Sequence, residues 1–577
     1  MPLRGLRRFD RTDLILALHF FRGFFESDLL SVRDRLATVF TGIVALIASF
    51  GLVLPILFTH KYAVLNTLPT PTLYGEAALA DRLMFICLST DLTAFVTVLN
   101  WQSLFPELRD FLILGPLPLE RLQLFRAKLI ALLVFVTLLI LSINVLPPLF
   151  LTAVMNGPWQ LPHNMFLQIG SFFIASCLAG YFAFFFLLGI QGLLLNLLPP
   201  RWSRPLSVAM QTVLLIAICA ALPLISWIPG LHSIIAARLP GISWLPPVWF
   251  VGLCESMLGN PHRVMHSLAA RAVWFLGLAM ASSLLLYLAT YTRSSNLVLQ
   301  DPVMRQGLLA KCLSQILNAV TRIPQEAAIL SFTVRSIVRS RLHKLLVAGI
   351  VGFCFALVLD GFLSALIEQT LGHHLRVPES SLLSAICSAP LIVAYFLLNG
   401  LLFVFSIPIE PRANWIFRLS DIHGSYRALN ASEKVLLLVV VAPVSAMTGL
   451  LLAGWTGLEL ASLETVFVLL MSLILLQTLL WNWDRIPFTC PYLPGRRNLI
   501  QSALLFVTAL SGFGYTAARI GLRLSASVPA MMILLAALLA IFLSMRVQRR
   551  KTWTGSIRLR FDDEPDPEVQ RLDLERE

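Results

Sequence analysis

Hydrophobic positions along this chain come in long unbroken runs, without the strict alternation of strands or the one-sided spacing of soluble helices. Six runs lie near 37 to 58, 83 to 105, 127 to 149, 168 to 196, 205 to 228 and 268 to 291. Six more lie near 345 to 367, 383 to 407, 435 to 454, 464 to 482, 500 to 518 and 527 to 545. A helix needs about 20 apolar residues to cross the hydrocarbon core, and only helices or closed barrels satisfy their backbone groups there. Leu-rich runs that do not alternate predict helices rather than barrel strands. The expected fold is an all-α integral membrane protein of about 12 transmembrane helices.

The runs are organised by a repeat. Val32-Arg33-Asp34-Arg35-Leu36 returns as Val338-Arg339-Ser340-Arg341-Leu342, 306 residues on, each copy just before a spanning run. Glu107-Leu108-Arg109 and Glu410-Pro411-Arg412 follow the second run of each half, 303 residues apart. The pattern predicts two tandem six-helix halves, 37–291 and 345–545, related by a pseudo-twofold axis along the membrane normal, an architecture of transporters. Outside them lie an N-terminal segment 1–36, a linker 292–344 and a tail 546–577. The tail is rich in acidic residues and proline and is expected to be disordered.

Short amphipathic patterns precede each half. Leu14, Leu18, Phe20, Phe21, Phe24, Phe25 and Leu29 share one side of a helical wheel, opposite His19, Arg22, Glu26 and Arg33. Leu309, Leu313, Ile316 and Val320 form a stripe opposite Lys311, Gln315 and Arg322, with Pro324 separating it from Arg335, Arg339 and Arg341. Both predict helices lying in the interface, against the plainer reading of solvated linkers.

Composition removes a soluble enzyme from consideration, because 57% of the residues are hydrophobic, 13% are charged and the mean hydropathy is +0.80. The net charge of +13 follows from topology. In the twelve-span arrangement 36 of the 44 Lys and Arg fall on the side of the N terminus and 8 on the other. By the positive-inside rule both termini are expected in the cytoplasm, and no nucleic-acid partner is needed to explain the charge. Arg519 and Arg523 fall on the outer side and make the eleventh span the weakest part of this arrangement. No cleavable leader is expected, with the first span acting as an anchor.

The eight cysteines form no Cys-x-x-Cys pair, so neither a zinc site nor a disulfide framework is expected. External acidic residues Glu76, Asp81, Glu255, Glu368, Glu379, Glu459 and Glu464 read as isolated, and His373-His374 is a poor metal pair because adjacent side chains diverge. No metal is therefore expected. Asp91, inside the second span, and Asp360, toward the outer end of the seventh, are the intramembrane acidic candidates. Gln191, Gln211, Asn399 and Gln477 are expected to link helices.

The loop after the second span reads Leu104-Phe105-Pro106-Glu107-Leu108-Arg109-Asp110, then Leu114-Gly115-Pro116-Leu117-Pro118-Leu119-Glu120-Arg121, and runs through Lys128 into the third span. Its Pro and Gly end one helix and a charged helix starts after Pro118, with Glu107, Arg109 and Asp110 as loop anchors. The matching loop of the second half carries Pro408, Glu410, Arg412, Trp415, Arg418, Asp421 and Lys434. This loop, with an amphipathic elbow helix before the first span and an aromatic external loop over 229–267, resembles the membrane permease subunit of a bacterial ATP-binding-cassette exporter of the second type.

The resemblance implies a permease driven by separate cytoplasmic ATPase subunits, two of them, that hold ATP and Mg, with no cofactor on this chain itself. It also implies a bacterial plasma (inner) membrane location. Partner docking falls on Leu117, Pro118, Arg121 and Lys128 in the first half and, by position, on Glu410, Arg412 and Asp421 in the second; the plainer reading is that these charges cap helices and anchor loops at the headgroups. The sequence contains no Gly-x-x-x-x-Gly-Lys-Ser/Thr loop. Alternating access would then move a hydrophobic or amphipathic substrate. An ion-gradient-coupled transporter remains the alternative, followed by a membrane enzyme or assembly scaffold.

Overall fold

A computed structural model of the protein describes residues 11–24, 51–105, 114, 121–160, 162–232, 235, 239–297, 323–372, 380–407, 425–481, 483–489, 508–517, 520–521 and 527–555. These residues form helices and their connections, with no strand among them. Ten of the described helices are long and apolar enough to cross a membrane. The chain divides into two compact units, Met1–Val303 and Met304–Glu577, each holding five of the ten.

Unit 1 contains α1 (Arg11–Gly23), α2 (Thr59–Leu65), α3 (Thr72–Leu99), α4 (Arg121–Asn144), α5 (Leu146–Met155), α6 (Met165–Leu197), α7 (Pro200–Ile225), α8 (Pro246–Met257) and α9 (Arg263–Leu297). The central post is α6, which packs on α3, α4, α5, α7, α8 and α9. Asn164 caps its start by accepting from the Leu167 amide at 3.3 Å. Pro147 and Pro148 separate α4 from α5, because proline cannot supply the amide that would continue the helical ladder. The short α8 enters the core with α3, α6 and α9, where Phe85, Phe172, Phe250 and Leu268 bury together. Gly252 lets α8 meet α9; a Cβ there would lie 2.3 Å from the Leu268 Cβ.

Unit 2 contains α10 (Pro324–Arg339), α11 (Arg341–Gly372), α12 (Ser380–Phe405), α13 (Ser425–Leu436), α14 (Ala442–Thr456), α15 (Leu458–Leu479) and α16 (Val528–Gly555). A π-helical turn, Leu437–Val441, joins α13 to α14 as one spanning rod. Gly457, at φ +86°, then reverses the chain into α15, a backbone conformation that only glycine adopts without strain. α15 packs on α12, α14 and α16.

Ten of the twelve expected spans correspond to these long helices. The first is described only from Gly51, and the eleventh only over 508–517 and 520–521, where Ser511–Thr516 is π-helical. Helix limits correct two placements and leave a third as expected. α3 starts at Thr72, so Asp81 and Arg82 lie within a helix rather than in an external loop. Asp360 lies four residues before the end of the candidate span Arg341–Ser364, toward its end as expected. Glu464 lies in the second turn of α15 and is 2% exposed. Asp81 and Arg82 find charged partners there, and Glu464 a buried position. One pair of helix limits also follows the repeat. α3 and α12 end 306 residues apart, at Leu99 and Phe405. The spacing then shortens to 293 between Met165 and Leu458, and to 265 between Arg263 and Val528.

Candidate functional site

Of the expected docking and anchoring residues, Glu107, Arg109, Asp110, Leu117, Pro118, Glu410, Arg412 and Asp421 lie outside the described residues. Arg121 opens α4, and its side chain is likewise not described. Lys128, two turns further on, is 4% exposed and its ammonium lies 5.1 Å from the centroid of the Phe20 ring. It is turned inward to α1 rather than outward to a partner surface. Two turns of α4 are thus clasped by α1. Asp13, 1% exposed, faces Arg126 at 3.4 Å, and Phe24 stacks on Phe135 with centroids 4.9 Å apart.

The buried face of α1 differs from the expected one. Asp13, Leu16, Ala17, Phe20 and Phe24 are buried, whereas Leu14, Ile15 and Leu18 are exposed. The expected wheel leaves out Asp13, which lies on the buried side and pairs with Arg126. In unit 2 the expected stripe Leu309 to Val320 lies outside the described residues. The described amphipathic helix is α10, which Pro324 opens instead of separating, as proline at the first helical position does.

α10 packs on α13 through Ile329, Leu330 and Val334. Lys434 of α13 donates to the carboxylate of Glu326, itself 2% exposed, and Arg427 donates to Gln325 at 3.0 Å. Glu433, the preceding residue, turns the other way. Its carboxylate takes Arg549 from α16 and the Gln477 amide from α15, the latter at 2.9 Å, while the Arg549 guanidinium lies 4.1 Å over the Trp553 ring. Adjacent residues of opposite charge thereby join α13 to three other helices. Where α11 begins, His343 donates from Nε2 to the Ile407 carbonyl at 3.0 Å, since a carbonyl can only accept, and its Nδ1 lies 2.7 Å from Ser340 Oγ.

A second adjacent pair braces α3 of unit 1. Asp81, fully buried, accepts from Lys61 at 2.7 and 2.9 Å and from the Tyr62 hydroxyl at 2.5 Å. Burial, with the Asp81 charge alongside, holds the Tyr62 phenol well above its ordinary value, so it remains a donor. Arg82 points elsewhere and meets Glu255 of α8 at 2.5 Å, where Asn260 also donates to Glu255 at 3.1 Å. Asp81 and Glu255, read from sequence as isolated acids, are therefore both paired. A clue was present in the sequence: opposite charges at consecutive positions next to an apolar run, with Lys61 and Glu255 available to receive them.

Gln191 and Gln211 link helices as expected, donating to the carbonyls of Trp101 and Val98 at the end of α3. Gln477 does so through Glu433, but Asn399 bonds within its own helix, to the Tyr395 carbonyl at 2.8 Å. Asp91 is half-buried along α3. Glu464 is the more enclosed acid, and its Oε1 has no hydrogen-bond partner. Burial pushes the Cys254 thiol up to about 11. His373 and His374 lie outside the described residues, and among those described no three metal-ligating side chains converge. A cleft lined by Phe85, Ser89, Asn144 and Pro147 holds about 10 Å³, room for one water. The chain matches no protein-family model, no curated protein and no solved structure.

Proposed function

We propose that this chain is the membrane permease of an ATP-driven exporter of the ATP-binding-cassette type, built as two six-helix halves with an elbow helix before each. Both termini lie in the cytoplasm of a bacterial plasma membrane, and separate ATPase subunits hydrolyse ATP. The observation that carries this reading is the recurrence, in both units, of a pre-span helix clasped to the base of the third-span helix. Each clasp follows directly on a proline-containing segment with scattered charges, 106–120 or 408–424, where force from a partner would enter. The uncovered aliphatic face of α1, Leu14, Ile15 and Leu18, suits the headgroup boundary of the bilayer. Substrate moves by alternating access.

The test is purification from native membranes in mild detergent, followed by an ATPase assay with and without Arg121→Glu and Arg412→Glu. A soluble ATPase that co-purifies, and whose recovery falls in the two variants, supports the reading. A chain that purifies alone without ATPase activity overturns it. One observation favours an ion-gradient-coupled transporter instead: the enclosed Glu464 carboxyl with an unpartnered oxygen. That reading requires transport dissipated by ionophores and indifferent to ATP.

A further inference from the structure

Phe20 and Lys128 stand 108 residues apart, and so do Glu326 and Lys434. Each member of the second pair is its counterpart in the first displaced by 306, the spacing of the Val32 and Val338 repeats. The surrounding packing keeps this register. Phe24 stacks on Phe135 in the first half, and Leu330 and Val441, each 306 residues later, both lie in the core cluster of unit 2. We propose that the two contacts are copies of one clasp, in which a lysine of the third-span helix is held by the pre-span helix, and that Phe20 occupies the place of a carboxylate. Phe20 and Glu326 are then positioning residues for α1 and α10.

The chemistry of the two copies has diverged. In the first half the acid has moved to Asp13, which faces Arg126, and the equivalent of Arg126 in the second half is the buried Ser432. The first clasp includes a ring face over an almost fully covered lysine, and the second an ion pair whose lysine side chain is 33% exposed, so mobile ions reach it. The Asp13–Arg126 pair beside the first is open to them as well, its arginine side chain being 29% exposed. The shared clasp stands on the register of the two units and does not depend on the exporter reading.

The test uses the full chain in lipid nanodiscs, with tryptic cleavage at Arg22 reporting on α1 and at Arg335 and Arg339 reporting on α10. Phe20→Glu is expected to keep Arg22 protected, because the new carboxylate meets Lys128, whereas Phe20→Lys speeds cleavage there about tenfold. Glu326→Lys speeds cleavage in α10 about tenfold, and adding Lys434→Glu restores protection. Equal damage from Phe20→Glu and Phe20→Lys in folded protein overturns the shared register. If Phe20→Lys does not accumulate, cysteines at 20 and 128, and separately at 326 and 434, are bridged with a short bifunctional thiol reagent. Bridging in both halves supports the clasp, and bridging in only one refutes it.

Discussion

Removing the Glu255 side chain tests whether the charges along α3 act as braces. Arg82 is 8% exposed and reaches Glu255 at 2.5 Å, so Glu255→Ala leaves a guanidinium enclosed among apolar helices with its carboxylate gone. Breaking a buried pair from one side costs about 3–5 kcal/mol. At about 2–4 °C per kcal/mol for a folding unit of this size, the melting midpoint falls by about 10 °C. Arg82→Met is milder, because Glu255 keeps Asn260 at 3.1 Å. The double variant Arg82→Met with Glu255→Leu removes both charges together, and its loss is expected to be smaller than the sum of the two single losses by about 2 kcal/mol. The assay is heating of detergent-solubilised full chain followed by fluorescence-detected size exclusion. Single losses that add to within about 0.5 kcal/mol refute the brace, since coupled partners depart from additivity by more than that.

Gly252→Ala is expected to destabilise by about 1–3 kcal/mol, because a Cβ 2.3 Å from the Leu268 Cβ forces α8 off α9; an unchanged melting midpoint contradicts the close packing. Cys254, whose thiol burial raises from an ordinary 9 to about 11, is expected to resist maleimide at pH 8 until the chain is denatured. The sign follows from linkage. A thiol with a raised folded value contributes its stability fully below pH 9 and loses it as pH climbs toward 11, so alkaline melting should begin earlier in the parent chain than in Cys254→Ala.

Ten of the twelve spans were legible because a helix in lipid must be apolar over its whole length, and that requirement is written in runs. Helix ends were less so: Thr72–Leu83 of α3 carries Glu76, Asp81 and Arg82, and Asp81 and Arg82 are buried there against Lys61 and Glu255. Residues far apart in sequence supply those partners, Lys61 and Glu255 in one case and Gln477 and Arg549 in another, so no local pattern announces them. The same holds for α1, whose buried side includes Asp13 against Arg126. Lys128 looked available because lysines at loop edges usually are; a ring from over a hundred residues earlier covers it.

Once the partners are known, the buried charges sort into two kinds. Asp13, Asp81, Arg82, Glu326, Glu433 and Arg549 each face an opposite charge, so their burial is accounted for by the helices they join. Glu464 stands apart, enclosed in α15 with an oxygen that bonds nothing. If it only fills space, Glu464→Gln is neutral or stabilising, since an amide of the same shape costs less to bury than a carboxylate. Proton flux into vesicles, read with an internal pH-sensitive dye, is then the same for parent and variant, and ATP turnover of the co-purified complex is unaltered. A proton flux present in the parent and lost in Glu464→Gln, with the melting midpoint intact, would make this carboxyl the coupling group and transfer the assignment from ATP-driven export to a gradient-driven carrier.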